Sequence, residues 1–235
     1  MTEEGPAKAP RPKDAATLII LDRSRPAGPW VLMGKRHGRH AFMPGKYVFP
    51  GGRVEPADRR MPVAEELDPL IEAKLNARVK RPSPAFARAL ALAAIRETFE
   101  ETGLAIGAES AGAPEPPPPG AWTRFRATGV RPSLADVDFL IRAITPPGRP
   151  RRFDARFFVV DAARIAKRLD GVVHAEAELV DLVWTPLDKA RELDLPRITL
   201  TALDELAAAL ARGLARERPR PFYRELRGRS LREEV

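Results

Sequence analysis

The sequence predicts an α/β/α sandwich around a mixed β-sheet. Two observations predict it. Short apolar runs bounded by turn residues recur at 15–21, 30–35, 139–144, 156–160 and 178–184, and read as strands. Helical patterns are interleaved with them at 83–102 and 200–214. Elements alternating in this way build a layered α/β domain. At 235 residues, one domain with embellishments is the simplest organisation.

Taken in order, residues 1–14 are polar, Pro-rich and aperiodic, and are expected to be disordered. The domain runs from 15 to 214. A-A-T-L-I-I-L (15–21) and W-V-L-M-G-K (30–35) form a hairpin or near neighbours in the sheet. A basic loop, R-H-G-R-H-A-F-M-P-G-K (36–46), leads to Tyr47-Val48-Phe49, a short strand delivering a Gly51-Gly52 turn. Within an insertion at about 57–88, residues 64–79 read as one helix or as two broken at Pro69. That insertion is either a surface elaboration or a lid that shapes the site.

Ser83-Pro84 starts the central helix as N-cap and first helical residue, and Gly103 ends it. The Pro-rich stretch 108–120 is an exposed spacer. Short helices are expected at 121–127, 162–169 and 187–193. From Ala215 the chain reads as a basic, loosely held tail.

Composition removes several classes of chemistry. The chain has no cysteine, so thiolate metal sites and Cys nucleophiles are excluded. No run reaches the length of a membrane span. The N-terminus lacks an apolar signal core, which makes a cytoplasmic enzyme the default expectation. The net charge of +8 suits an anionic small molecule, nucleic acid, or a merely basic surface.

The central helix carries the chemistry. Arg96 to Leu104 reads R-E-T-F-E-E-T-G-L. Residues three and four apart share a helix face, so Glu97, Glu100 and Glu101 crowd within one turn. Ala91, Ile95, Phe99 and Thr102 form the opposite, core-facing stripe. Such a cluster is either a solvated acidic face or a set of hard oxygen ligands for Mg2+ or Mn2+.

With Phe49-Pro50-Gly51-Gly52 upstream, this stretch resembles the Nudix hydrolase family. The second half of that family's box matches at Arg96, Glu97, Glu100, Glu101, Gly103 and Leu104, and the first half at Gly52. There are three departures. Asp58 stands where the first-half Glu belongs, Thr98 replaces an aliphatic residue, and about thirty extra residues interrupt the box. W-T-P-L-D (184–188) is a further family-like feature. The resemblance implies a Nudix-type sandwich with a helical insertion between the box halves.

The branch resemblance is finer. F-M-P-G-K-Y-V-F-P-G-G-R-V-E-P-A-D-R (42–59) and R-F-D-A-R-F-F (152–158) look like coenzyme A diphosphatases with a long insertion in the box. A related bacterial pattern matches at Leu32, Arg36, Gly45 and F-P-G-G. It departs at His37 and at Ala41, where an Arg belongs.

The resemblance implies Mg2+- or Mn2+-dependent hydrolysis of a phosphoanhydride in coenzyme A or an acyl-CoA. ADP-ribose, NADH and dinucleoside polyphosphates are the alternatives. A catalytically silent, nucleic-acid-binding relative is the other class. Metal ligands would be Glu97, Glu100, Glu101 and the Gly52 backbone, and Arg96 would orient a box carboxylate. Glu178, six residues before Trp184, is the first candidate for general base and Glu176 the second; a box Glu is an alternative. Lys35, Arg36, Arg39, Lys46 and Arg152 are the candidate cations for substrate phosphates. His37 and His40 are either phosphate donors or simply exposed. The expected partner is a small nucleotide-derived substrate, with no membrane, and nucleic acid is the less favoured partner. A homodimer fits the resemblance, although no stretch marks an interface.

Overall fold

The computed structural model describes residues 10–39, 43–109 and 115–235. Most of the expected N-terminal tail, His40, Ala41 and the middle of the Pro-rich stretch lie outside the described residues.

The first strands are β1 (Lys13–Asp22), β2 (Trp30–Arg36), β3 (Tyr47–Val48) and β4 (Gly51–Arg53). Helices α1 (Pro69–Asn76) and α2 (Pro84–Thr102) follow, then β5 (Leu104–Ile106), β6 (Ala108–Glu109) and α3 (Ala121–Arg126). Next come β7 (Val130–Arg131), β8 (Asp138–Ile144), β9 (Phe153–Asp161), β10 (Ile165–Arg168) and β11 (Leu179–Pro186). The chain closes with α4 (Arg197–Ala211), β12 (Pro221–Leu226) and β13 (Arg229–Glu234). Short 3-10 turns lie at Pro56–Arg60, Ala162–Arg164 and Ala190–Glu192.

The main sheet runs β11-β2-β1-β9-β8-β12-β13, with β3 on β2 and β4 on β1. It is mixed: β1 pairs parallel with β9, and β12 parallel with β8, while the other pairs are antiparallel. The central part of β1, A-A-T-L-I-I-L, is largely buried. A strand covered on both faces reads as a continuous apolar run for that reason. Its two faces feed two cores. Leu18 and Ile20 pack with α2, α1 and α3, whereas Ile19 and Leu21 pack with α4. The result is the expected three-layer sandwich.

Local sequence sets α2. Ser83 Oγ accepts the Phe86 N–H at 3.1 Å, and Pro84 supplies the first helical residue. Gly103 ends the helix at φ 76°, and its N–H donates to Phe99 O at 2.8 Å. A helix of 19 residues enriched in Ala packs closely against neighbours on most of its surface. Burial extends through Ala87, Leu90, Ala91, Ala94, Ile95 and Phe99 and around to Glu101. A solvated acidic face is therefore excluded for Glu101, which is 6% exposed.

Several elements differ from expectation. β1 begins at Lys13, because Lys13 and Asp14 already pair with Phe153 and Asp154 of β9. Gly51 and Gly52 lie in strand β4 rather than in a turn. A Cβ on Gly51 would sit 2.7 Å from Thr17 Cα, so glycine permits this close pairing with β1. Within 64–79 only Pro69–Asn76 is helical. Pro69 starts that helix, and Asp68 caps it by accepting the Leu70 N–H at 2.8 Å. Residues 162–169 form a 3-10 turn and strand β10, which pairs with β5, and 187–193 hold only a 3-10 turn.

The largest correction is at the C-terminus. Residues 221–234 are a β-hairpin docked on β8, not a loose tail. Phe222 is buried beneath the Arg142 guanidinium, 4.4 Å from the ring centroid. Arg216 forms ion pairs with Asp68 and Asp138. Arg227 and Gly228, both at positive φ, make the two-residue loop.

Among the described residues no helix is long and apolar enough to cross a membrane.

Candidate active site

Arg96 is the organising residue. It is 2% exposed, and all five guanidinium N–H groups have acceptors. Nε and Nη2 grip Asp58 bidentately at 2.8 and 3.1 Å. Nη2 also donates to the Arg53 carbonyl at 2.8 Å. Nη1 donates to Glu97 and to Glu100, each at 2.9 Å. The surrounding carboxylates raise the pKa of Arg96 against the opposing effect of burial.

Asp58 completes this arrangement. It is fully buried and saturated: besides Arg96, it accepts Trp122 Nε1 at 2.9 Å and the Glu55 N–H at 2.8 Å. The 3-10 turn at Pro56–Arg60 presents it to Arg96, and α3 presents Trp122. The two ends of the interrupted sequence are thus joined in space. Asp58 is the residue whose role sequence reasoning missed. Its alignment with the first-half Glu was a usable signal, because a buried guanidinium on α2 needs a buried acceptor.

Glu97 and Glu101 lie on the other side of Arg96, toward β4. A Cβ on Gly52 would overlap the Glu97 carboxylate, so the backbone and carboxylate share a close cradle. Glu101 accepts the Gly51 N–H at 3.3 Å. Burial raises the pKa of Glu97 to about 7, with Glu100 and Glu178 adding to the rise and Arg96 opposing it. Burial also holds Glu101 well above the ordinary carboxylate range, reinforced by Glu178 and Glu97 and opposed by Arg36. Glu178, just before β11, pairs with Arg36 at the end of β2, 3.0 Å away. Thus the fold gathers Glu97, Glu100, Glu101, Arg96, Gly52, Glu178 and Arg36 in one region.

The remaining cations are distributed differently. Lys35 and Arg36 line a cavity of about 540 Å3 together with His37, Gly38, Gly45, Ala175 and Val180. Lys35 also lies 5.7 Å from the Tyr47 ring centroid. Arg39 pairs with Glu176, and Lys46 with Asp194, all at the surface. Arg152, expected at the substrate phosphates, is instead bound to the carbonyls of Thr145 and Pro10, each at 3.0 Å. Its role is to hold the start of β1 against β9.

Beyond the 3-10 turn that presents Asp58, the contacts of the insertion run away from the carboxylates. Asn76 accepts the Ser83 N–H, Arg78 pairs with Glu233, and Glu65 accepts the Ser133 hydroxyl. These contacts brace the first half of α2, the 130–138 segment and the C-terminal hairpin. The carboxylates lie at the far end of α2.

The donor set fits a hard divalent cation. It consists of carboxylate oxygens with a close-approaching backbone at Gly52, and two of the carboxylates are buried enough to favour a counter-charge. As they stand, Glu97 and Glu100 both turn toward Arg96, and no three acidic or imidazole side chains among the described residues surround one point.

Comparison with known proteins agrees with this geometry. No family model matches the chain. No curated protein matches it. Among solved structures, a Nudix hydrolase from Alicyclobacillus acidocaldarius is 29% identical. The match covers 84% of this chain and 92% of that one, with a TM-score of 0.59. A Nudix hydrolase from Nitrosomonas europaea matches at 11% identity over 85% and 90% of the two chains, with a TM-score of 0.48. RenU, a Nudix hydrolase from M. smegmatis, matches at 16% over 86% and 87%, with a TM-score of 0.45. The last two are too distant to bear on function. The chain has the fold of the Nudix hydrolases, and the first likeness supports a Nudix hydrolase enzyme.

Proposed function

We propose that the chain hydrolyses a phosphoanhydride bond in a nucleoside diphosphate linked to another moiety, using Mg2+ or Mn2+. The observation that carries this reading is the gathering of the half-buried Glu97, bonded to Arg96, and the buried Glu101 with the Arg36–Glu178 pair, whose Arg36 lines a cavity together with Lys35. Phosphoryl transfer is limited by positioning and by charge on the phosphate oxygens. A site of this kind supplies both.

Glu97, Glu100, Glu101 and the Gly52 backbone are the proposed ligands. A divalent ion held there neutralises diphosphate charge and acidifies water. The chain's own residues do the rest. Lys35 and Arg36 bind phosphate oxygens from the cavity wall. Arg39 and Lys46 border the cavity through Gly38 and Gly45, and their exposed ion pairs are weak enough to yield to a phosphate. Arg96 is a positioning residue: it fixes Glu97 and Glu100 and touches no substrate. Glu178 accepts a proton from water as the water oxygen bonds to phosphorus. The anhydride P–O bond breaks, and the second phosphate leaves.

For the substrate we propose coenzyme A or an acyl-CoA, giving 3′,5′-ADP and (acyl-)4′-phosphopantetheine. The F-M-P-G…A-D-R and R-F-D-A-R-F-F stretches support this choice. The test is product analysis with coenzyme A, acetyl-CoA, ADP-ribose, NADH and dinucleoside polyphosphates, with Mg2+ or Mn2+. Wild-type protein is compared with Glu97→Gln and Glu101→Gln. Release of 3′,5′-ADP, lost in both variants, is expected. Cleavage of another compound would keep the mechanism and remove coenzyme A. A folded protein that turns over none of the panel would count against the hydrolase reading.

A further inference from the structure

His37 lines the cavity it shares with Lys35 and Arg36, and the mechanism above gives it no part. The wall of that cavity is two cations, one histidine and small or apolar residues, with no carboxylate among them. Such a wall selects an anionic occupant. A bulge in β11 shapes it. Leu179 pairs with Arg36 and Asp181 with Lys35, so Val180 is the extra residue, and Val180 lines the cavity. Gly38 adds no bulk to the wall: a Cβ there would meet no atom within 4 Å.

Backbone bonds fix where His37 stands. The Arg36 N–H donates to Lys46 O at 2.9 Å and closes the basic loop. The His37 N–H donates to Glu178 O, also at 2.9 Å, which ties its position to that of the proposed base. The ring is then oriented by its own loop: Nδ1 accepts the Arg39 N–H at 2.9 Å. An amide N–H only donates, so Nδ1 presents a lone pair and the ring proton sits on Nε2. Arg39 is itself tied to Glu176, next to Ala175 of the cavity wall. Among the described residues His37 Nε2 meets no acceptor. The half-buried imidazole thus has one nitrogen committed to the backbone and a placed donor on the other.

We infer that His37 is a substrate-binding residue whose Nε2–H donates to a non-bridging oxygen of the substrate's diphosphate, an assignment that rests on the phosphoanhydride reading above. Lys35 and Arg36 supply charge, which attracts a diphosphate from any direction. A neutral N–H held by its own loop supplies direction instead. Arg36 also holds Glu178, so the group bound in this cavity lies next to the proposed base.

Two substitutions separate the donor from the loop contact. His37→Asn keeps an acceptor near the Nδ1 position and removes the donor; His37→Gln places an amide N–H near the Nε2 position and gives up the bond to Arg39. Both keep the backbone bond to Glu178. The probe is ADP, titrated into the full chain in EDTA. Its affinity should fall roughly tenfold in His37→Asn, as for a lost hydrogen bond to a charged group, and His37→Gln should recover most of that loss. For whichever compound of the panel is hydrolysed, KM should follow the same order, with kcat moving less. The chain has three histidines, so the His37 ring nitrogens can be assigned by 15N NMR. The Nε2–H signal should shift saturably with ADP while Nδ1 stays unprotonated. Wild-type affinity in His37→Asn would overturn the proposal and leave His37 as a loop contact. So would a ring proton on Nδ1, an unmoved Nε2–H signal, or no binding of ADP. A saturable His37 shift in a chain that hydrolyses none of the panel would keep the donor assignment and remove the hydrolase reading.

Discussion

At the residue scale, a single buried guanidinium converts an acidic cluster into a shaped site. Arg96 ties Asp58, Glu97 and Glu100 to the Arg53 carbonyl. Removing one partner of a buried pair leaves an uncompensated charge and costs about 3–5 kcal/mol. Asp58→Ala also orphans Trp122 Nε1. We expect it to destabilise the fold by about 3–5 kcal/mol in urea denaturation; a change below about 1 kcal/mol would contradict this account. Gly52→Ala tests the opposite edge of the cluster. Its methyl group would overlap the Glu97 carboxylate while the backbone keeps an ordinary φ. Hydrolysis should fall by roughly 100-fold or more, since misplacing a catalytic group by about 1 Å has that effect. The circular dichroism spectrum should stay native. An Arg96 pairing with a box carboxylate was expected from the resemblance, and four-residue spacing on a helix is what brings Glu100 within its reach. The contribution of Asp58 was signalled only by its alignment with the first-half Glu, because no local pattern reports a partner 38 residues away that the fold alone brings into contact.

At the element scale, legibility followed locality. The boundaries of α2 were readable because Ser83, Pro84 and Gly103 each act within their own turn. The segment at 162–169 looked helical, yet it became β10 because β5 offers a strand partner. Tertiary pairing of that kind overrides local propensity. The C-terminal hairpin was hidden by its charge. Alternation of Arg and Glu with Phe222, Tyr223 and Leu226 resembles a solvated tail until β8 supplies an edge. Phe222 then anchors it on the face opposite α4, against Arg142 and Arg224, while Tyr223 packs on the α4 side. Truncating a buried aromatic costs about 3–5 kcal/mol. Phe222→Ala should therefore lower the unfolding free energy by about that amount and expose 221–234 to protease. Unchanged stability and unchanged proteolysis would restore the loose-tail reading.

At the scale of the whole molecule, the site and the stability of the fold are linked through protons. Glu97 has an ordinary value of 4.5 and a folded value of about 7. Between those values the native state holds a proton that the unfolded chain has lost. Stability therefore falls as pH rises through this window. Glu101, also raised by burial, acts with the same sign. Asp22, Asp68 and Glu205 are shifted the other way, and their contribution is lost only as pH falls below the ordinary carboxylate range. The two groups of effects occupy different pH ranges. In EDTA, unfolding free energy should decline by up to about 3 kcal/mol between pH 4.5 and 7 on account of Glu97. Excess Mg2+ or Mn2+ should flatten that decline, because a ligand that binds only the native state stabilises it and favours ionised carboxylates. Glu97→Gln should lose most of the EDTA-dependent slope. Stability that rises through this window in EDTA would contradict the sign of the Glu97 shift. A slope that divalent cations leave untouched would remove the carboxylate cluster as their binding site.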